Sequence, residues 1–335
     1  SDLENVGAVA GRIDISRGKV GVNAEYVYKS NDPNSQNSFI YRHGEALLVS
    51  TSYSQKGLGV ILSGKRIDNM GFKSKRTETG NMLNINYLPA LTRQHAYSLT
   101  AYYPYATQPN GEMSLQADVV YNIPKNTLLG GKYGTEVKLN FSKANSIVTE
   151  KLNDTTELFK GGTNGYNSKF FKFGDELYFQ DFNIEVSKKF NSKLKGIFSW
   201  MNLIYNQAVI EGHPGVPTVY ANIFVVDLSY KITPLKTIRT EIQHLSTKQD
   251  KGNWLMGMAE YTIAPTWFFS LSDQYNYGNE NEKIHFYNVG IGYIKNSSRI
   301  QLSYGKQHEG IVCVGGVCRQ VPASNGFNIT ITSSF

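Results

Sequence analysis

Along most of this chain apolar and polar residues exchange every second position, as expected of an extended strand whose successive side chains point to opposite faces. In the run 327–335, Phe327, Ile329, Ile331 and Phe335 fall on one face and Asn328, Thr330, Thr332 and Ser334 on the other. The same alternation sets Tyr287, Val289, Ile291 and Tyr293 against Asn288, Gly290 and Gly292, and Phe224, Val226, Leu228 and Tyr230 against Val225, Asp227, Ser229 and Lys231. It recurs near the start, where Val20, Val22, Ala24, Tyr26 and Tyr28 alternate with Gly21, Asn23, Glu25 and Val27. Read this way, the chain offers about seventeen strand candidates: 6–16, 18–29, 45–54, 57–66, 81–88, 94–103, 111–122, 131–142, 176–188, 194–206, 219–231, 236–247, 253–263, 266–277, 283–294, 298–306 and 325–335.

The connectors alternate in length. Short ones, such as Ser16-Arg17-Gly18, Pro89-Ala90-Leu91-Thr92 and Ile263-Ala264-Pro265-Thr266, carry the glycine and proline that end a ladder. Between them lie longer segments near 30–44, 66–80, 143–175, 207–218 and 307–323. Short turns on one side and long loops on the other are the habit of outer-membrane barrels, whose short turns are periplasmic. That sidedness places the C-terminus in the periplasm.

Composition narrows the setting. The 335 residues show no break at which to divide domains, are 40% hydrophobic with a mean hydropathy of −0.35, and include 22 Tyr and 17 Phe. No run approaches the 18 apolar residues of a membrane helix. Tyrosines end the apolar face at Tyr28, Tyr121, Tyr230 and Tyr293, where amphipathic rings meet lipid headgroups. A soluble sandwich would alternate too, but its second face has no need of so many charges. The expectation is an all-β fold, an antiparallel transmembrane β-barrel in the bacterial outer membrane surrounded by its lipids. Residues 1–335 then form a single barrel domain or its C-terminal portion. Seventeen is odd and single-chain bacterial barrels close with even numbers, so a total of 16 or more is expected. Either one candidate is false or N-terminal strands precede Ser1, and the second reading is favoured.

Candidate chemistry is sparse. Glu136, Lys138, Asp181, Glu185, Asp227, Arg239, Glu241 and Glu260 lie on polar faces and would either line a water-filled path or brace the interior as a fixed network. Asp273 continues the face of Trp267, Phe269 and Leu271, which points a carboxylate toward lipid unless a bulge or a position above the membrane boundary intervenes. Cys313 and Cys318, the only cysteines, flank Val-Gly-Gly-Val, and a structural disulfide is expected in an oxidising compartment. No second Cys/His pair lies nearby at zinc spacing, His308 being merely close, and no cofactor motif is visible. Ser246, Ser303, His244, His285 and Asp273 are hydrolase residue types without distinctive spacing, so no enzyme is expected. The net charge of +7 comes without a basic tail or a nucleic-acid motif, which argues against nucleic acid as a partner. Lys65, Arg66, Lys73, Lys75 and Arg76 gather in one stretch that either stays solvated or meets anionic headgroups. The loop 143–175 folds inward as a constriction or outward as a partner surface.

The stretch Asn86-Tyr87-Leu88-Pro89-Ala90-Leu91-Thr92-Arg93-Gln94-His95, then Tyr103-Pro104-Tyr105-Ala106-Thr107-Gln108-Pro109-Asn110-Gly111-Glu112, resembles an uncharacterised outer-membrane β-barrel family of Bacteroidota. So does the ending Cys313-Val314-Gly315-Gly316-Val317-Cys318-Arg319 with Val321-Pro322-Ala323 and Gly326-Phe327. The resemblance implies fold and location, a longer N-terminus, and no catalytic residue. Two functions compete: passage of small polar solutes through a lumen, expected first, and a non-catalytic structural or assembly subunit of an outer-membrane complex with an occluded lumen.

Overall fold

The computed structural model describes residues 5–78, 83–314 and 317–333, and the side chains of 310–321 lie outside that description. The strands are β1 (Ala8–Arg17), β2 (Val20–Lys29), β3 (Gly44–Gln55), β4 (Leu58–Asp68), β5 (Gly111–Ile123) and β6 (Thr135–Glu150). Then come β7 (Asn167–Lys189), β8 (Leu194–Tyr205), β9 (Val219–Thr233), β10 (Lys236–Thr247), β11 (Trp254–Ile263) and β12 (Trp267–Asn276). The last are β13 (Ile284–Lys295), β14 (Ser298–Gln307), β15 (Gly310–Val314), β16 (Val317–Val321) and β17 (Ser324–Ser333). Fifteen of them make one antiparallel sheet in which each strand pairs with its neighbours in sequence and β17 follows β14, while β15 and β16 form a separate hairpin.

The alternation fixes the register. In β9 and β10, Phe224 lies opposite His244, Val226 opposite Ile242 and Tyr230 opposite Ile238, all on the outer face. The intervening Ala221, Ile223, Val225 and Asp227 are buried on the inner face. A slip of one residue would exchange these two sets, so burial of one face specifies the pairing. Gly18 in the β1–β2 turn and Gly57 in the β3–β4 turn take φ of 61° and 81°, a region closed to most side chains, and allow two-residue connections.

The sheet curls. Tyr205 ends β8 and His308 follows β14, six strand spacings away, or about 29 Å across a flat sheet at roughly 4.8 Å a step. Yet Tyr102 and Tyr103 bridge them through ring-to-ring steps of 5.3, 5.0 and 5.3 Å. The main apolar core lies on the resulting concave face and joins Leu99, Tyr103 and Tyr105 to Phe179, Met201, Leu203, Tyr205, Ile223, Leu245 and Trp254.

Two expectations are corrected here. The strands do not close into a barrel: β1 and β17 are the two edges of the sheet, with no ladder between them among the described residues. Fifteen is also odd, so in this strictly antiparallel order the two edge strands run the same way and could pair with each other only in parallel. Among the described residues the candidates 81–88 and 94–103 supply no strand to the sheet, because the chain leaves it after β4 and rejoins it at β5. Residues 97–102 instead coil tightly, with Ala101 N donating to Tyr97 O (3.0 Å) and Tyr102 N to Leu99 O (3.4 Å). The expected disulfide falls on Cys313 and Cys318, whose side chains lie outside the described residues; the two are backbone register partners across the β15–β16 hairpin.

Candidate functional site

The second half of the connection between β4 and β5, residues 89–108, docks against the concave face, while Gly71 and Arg76 near its start bond instead to Lys29 and Asp32 in and after β2. Lys65 on β4 holds the two ends of this docked part, donating to Pro89 O and Thr107 Oγ1 at 2.6 Å each and pairing with the buried Glu112 at 2.9 Å. Arg93 reaches β7, with Nη1 to Asn183 Oδ1 at 2.8 Å and Nη2 to Glu185 Oε2 at 2.6 Å. His95 Nε2 lies 2.6 Å from the fully buried Asp181. Tyr97 donates to Asp227 on β9 (3.2 Å), and the buried Leu99 N donates to Gln243 Oε1 on β10 (2.8 Å).

Above these polar contacts the segment becomes aromatic. Tyr105 stacks on Phe179 at 4.7 Å and donates to Glu112 at 2.5 Å; Tyr103 donates to Asp250 at 3.1 Å. Tyr102 meets Trp254 and His308 at 5.1 and 5.3 Å. Burial pushes the Tyr97, Tyr103 and Tyr105 phenols far above their ordinary range, and the neighbouring carboxylates of Asp227, Asp250 and Glu112 push the same way. These phenols therefore stay protonated donors, which is what their carboxylate partners require. Burial also lowers the His308 imidazole, so it packs as a neutral ring.

The inner-face charges form one braced network rather than a bare lining. Asp181, Glu185 and Asp227 bind the interior segment directly. Lys138 links Glu136 (3.0 Å) to Glu185 (3.2 Å). Arg239 holds Asp227 at 2.9 Å and also pairs with Glu241, while Gln243 Nε2 donates to Glu241 Oε1 at 2.5 Å. Glu260 is the register partner of Arg239 and accepts from Thr262 at 3.4 Å. Partnered charges can be buried where isolated ones cannot.

On the outer face, Asp273 does follow the phase of Leu271, with no register shift in either neighbouring ladder. It meets His285 Nδ1 at 2.7 Å, and His285 stacks on Tyr275 at 4.0 Å, a polar-aromatic end to the apolar stripe. Ser303 is buried on the inner face, so the sheet stands between it and the Asp273–His285 pair. His244 bonds the Tyr277 hydroxyl at 2.7 Å. Among the described residues no three His, Cys, Asp or Glu side chains come together as metal ligands.

The long-loop side is tied down by salt bridges. Arg42 pairs with Asp68 (2.7 Å) and donates to Tyr166 O (2.7 Å) and Ser168 Oγ (2.8 Å); Arg66 adds Asp68 at 2.9 Å, and Tyr166 donates to Asp68 at 2.6 Å. The connection 151–166 between β6 and β7 is thereby held over the β3–β4 end of the sheet, with Tyr41 N donating to Thr163 O (2.7 Å). The basic stretch does not gather as a free patch: Lys65 and Arg66 are spent as described, Lys75 pairs with Glu78, and Arg76 with Asp32 at 3.3 Å.

Sequence reading missed the interior segment. Pro89, Pro104 and Pro109, which a central strand would not tolerate, were its available signal.

Passage of solutes through a lumen is overturned by the same geometry. Among the described residues the sheet is open and forms no closed channel, and the concave face of β4 to β11 is occupied by 89–108.

No curated protein matches the chain in sequence. Among solved structures it is loosely similar to mutants of the Rh. blastica porin, one at a TM-score of 0.38 and 11% identity, over 89% of this chain and 83% of that one. It is similar at 0.43 and 9% identity to a mutant of the Pseudomonas aeruginosa ferric enterobactin receptor PfeA, over 91% of this chain and 51% of the receptor. A third is an anion-selective porin from Comamonas acidovorans, at 0.34 and 10% identity over 99% and 100%. Likeness this loose carries no argument about function. A family model matches residues 2–335, and the chain belongs to that family, the family of unknown function DUF6029.

Proposed function

We propose that this protein is a non-catalytic structural or assembly subunit of an outer-membrane complex, with its interior occupied by its own chain. The observation that carries the reading is the docking of 89–108 across β4 to β11 by buried hydrogen bonds, ion pairs and aromatic contacts, which fills the concave face of those strands. The inner-face charges, in this reading, are the fixed brace for that segment.

The outer face supports the membrane setting. Tyr220, Phe224, Val226, Leu228 and Tyr230 run along the outer side of β9, and the ten residue steps from one tyrosine to the other span about 33 Å. At a tilt of about 40° that is close to a 25 Å apolar band between two aromatic girdles. Leu271, Val289, Ile300 and Leu302 continue the band as exposed apolar side chains. An exposed apolar surface of this extent marks contact with lipid or protein. The short connections would then face the periplasm, with the C-terminus beside them, and the chain 1–335 would act as one unit. The Bacteroidota origin implied by the resemblance belongs to this proposal as well.

The test is purification of the natural protein from its membrane in mild detergent, followed by planar-bilayer recording. Absence of conductance steps together with a stoichiometric co-purifying protein is expected. Ohmic steps from a monomeric preparation would overturn the reading.

A further inference from the structure

One end of the sheet carries an uncompensated band of positive charge. The antiparallel order brings seven connections to that end, β1–β2, β3–β4, β5–β6, β7–β8, β9–β10, β11–β12 and β13–β14. Counted with one residue on either side, they hold nine Lys or Arg and no Asp or Glu. Six connections at the opposite end, from β2–β3 to β12–β13 and counted the same way, hold eleven Lys or Arg and ten Asp or Glu. The nine alone exceed the chain's net charge of +7. All nine are exposed, and the salt bridges of the described residues, from Arg12–Glu25 to His285–Asp273, leave every one of them out. At the opposite end, by contrast, Lys29 and Arg76 pair with Asp32, Arg42 with Asp68 and Lys75 with Glu78.

Like charges converge within the band. Lys132 and Lys189, from neighbouring connections, sit over the Tyr133 ring at 5.7 and 4.7 Å from its centre, and Lys188 donates to Leu129 O at 3.0 Å. Clustered cations favour an anion between them. Apolar residues share the same end: Leu128, Leu129 and Leu235 stand 97%, 66% and 60% exposed, each within three residues of Lys125, Lys132 or Lys236. Tyr121, Tyr230 and Trp267 are exposed on the outer face within three residues of these connections. On the membrane reading, rings at that height mark the headgroup level. Basic and apolar residues in one band suit an interface of anionic headgroups over acyl chains.

The extent of the band argues for lipid over a protein partner. Its cations occupy six of the seven connections, from β1–β2 to β13–β14, thirteen strand spacings or about 60 Å along the sheet at roughly 4.8 Å a step. One protein partner covers about 800 Å², a patch about 30 Å across. A lipid leaflet reaches the whole rim. We infer that this end of the sheet is a binding surface for anionic phospholipid headgroups of the leaflet it faces, with the nine cations as phosphate partners and the turn leucines seated in the same interface. This inference rests on the membrane reading and names the lipid class that the reading leaves open.

The experiment reconstitutes the full-length protein in phosphatidylcholine vesicles and adds spin-labelled phosphatidylglycerol or phosphatidylcholine, reading the motionally restricted fraction by electron spin resonance. The native protein is expected to favour phosphatidylglycerol, about fivefold at a site held by one lysine, and the preference should fall in high salt. Lys125→Gln, Lys132→Gln, Lys189→Gln and Lys236→Gln together should lower it. Lys151→Gln, Lys160→Gln, Lys248→Gln and Lys251→Gln together, an equal loss of charge at the opposite end, should leave it as it was. No preference in the native protein, or an equal loss from both variants, would overturn the inference and leave the membrane reading intact. An absent lipid preference alongside an acidic protein that only the first variant releases would overturn it in favour of a protein partner. Absence of any motionally restricted lipid would overturn the membrane reading itself.

Discussion

Removing one interior aromatic ring should loosen the docked segment before it loosens the sheet. Tyr103 is buried between Tyr102 and Tyr205, at 5.0 and 5.3 Å, and its hydroxyl donates to Asp250 at 3.1 Å. Truncating a buried aromatic to alanine costs about 3–5 kcal/mol through lost burial and the cavity left behind. At about 1.4 kcal/mol per tenfold, Tyr103→Ala raises the opening equilibrium of the segment by roughly two to three orders of magnitude. The reporter is local: the Leu99 amide donates to Gln243 Oε1 at 2.8 Å and exchanges only when the segment leaves the wall. Hydrogen exchange read by mass spectrometry on the protein in lipid nanodiscs should therefore show faster exchange in peptides covering 93–108. Peptides from β9 and β10 should keep near-native protection. Equal exchange of 93–108 in the native and variant proteins, or a fast-exchanging 93–108 in the native protein, would refute the packing described.

Further outcomes follow from the charges and the outer face. Arg239→Ala leaves the buried Asp227 and Glu241 without their cation, and a drop of about 3–5 kcal/mol in unfolding free energy should appear as a lower urea midpoint in detergent micelles. Arg42→Ala removes the pair to Asp68 and the bonds to Tyr166 and Ser168, so proteolysis within 151–166 should speed up while the sheet resists. Val289→Arg places a charge on the exposed outer stripe, costing about 2–4 kcal/mol if it sits near the bilayer midplane, read as a smaller folded fraction in lipid vesicles. The buried Tyr97, Tyr103 and Tyr105 phenols are raised above their ordinary values, so folding favours the protonated form. That contribution is fully present below about pH 10, the unfolded phenol value, and is lost progressively as pH rises from there toward the raised folded values. Protection of 93–108 should hold from pH 7 to 9 and fall above 10, whereas unchanged protection above pH 10 would count against phenol burial.

The parts legible in sequence were those governed by a repeating local rule. Phe224, Val226 and Tyr230 fall on the outer face because alternation is a local signal and one buried face pins the register. The position of Asp273 was readable for the same reason, and His285 across the ladder supplies its partner. The interior segment was not legible. Residues 94–103 look strand-like over a short window, but Leu99 is buried against distant strands and Tyr97 to Tyr102 coil through bonds three and four residues apart. Periodicity cannot distinguish a strand with one buried face from a peptide enclosed by its surroundings. The inner charges were found as residues, with a fixed brace as one of two readings, but their partners were not, since Arg93 and His95, which engage Glu185 and Asp181, lie some ninety residues away in sequence. Closure was misjudged because a local pattern counts strands without saying whether the first and last meet.

Occupation of the interior by 89–108 is tested most directly by a cysteine pair across that contact. Ser98 Oγ lies 3.3 Å from the tip of the Gln243 side chain, at Nε2, so Ser98→Cys with Gln243→Cys, in a Cys313→Ser, Cys318→Ser background, should be joined in intact cells by a short bifunctional thiol crosslinker that spans the length the glutamine loses. Protection of Ser98→Cys alone from a membrane-impermeant maleimide is expected alongside. Absence of the crosslink, with rapid labelling of Ser98→Cys from outside the cell, would place the segment away from the wall and contradict an occupied interior.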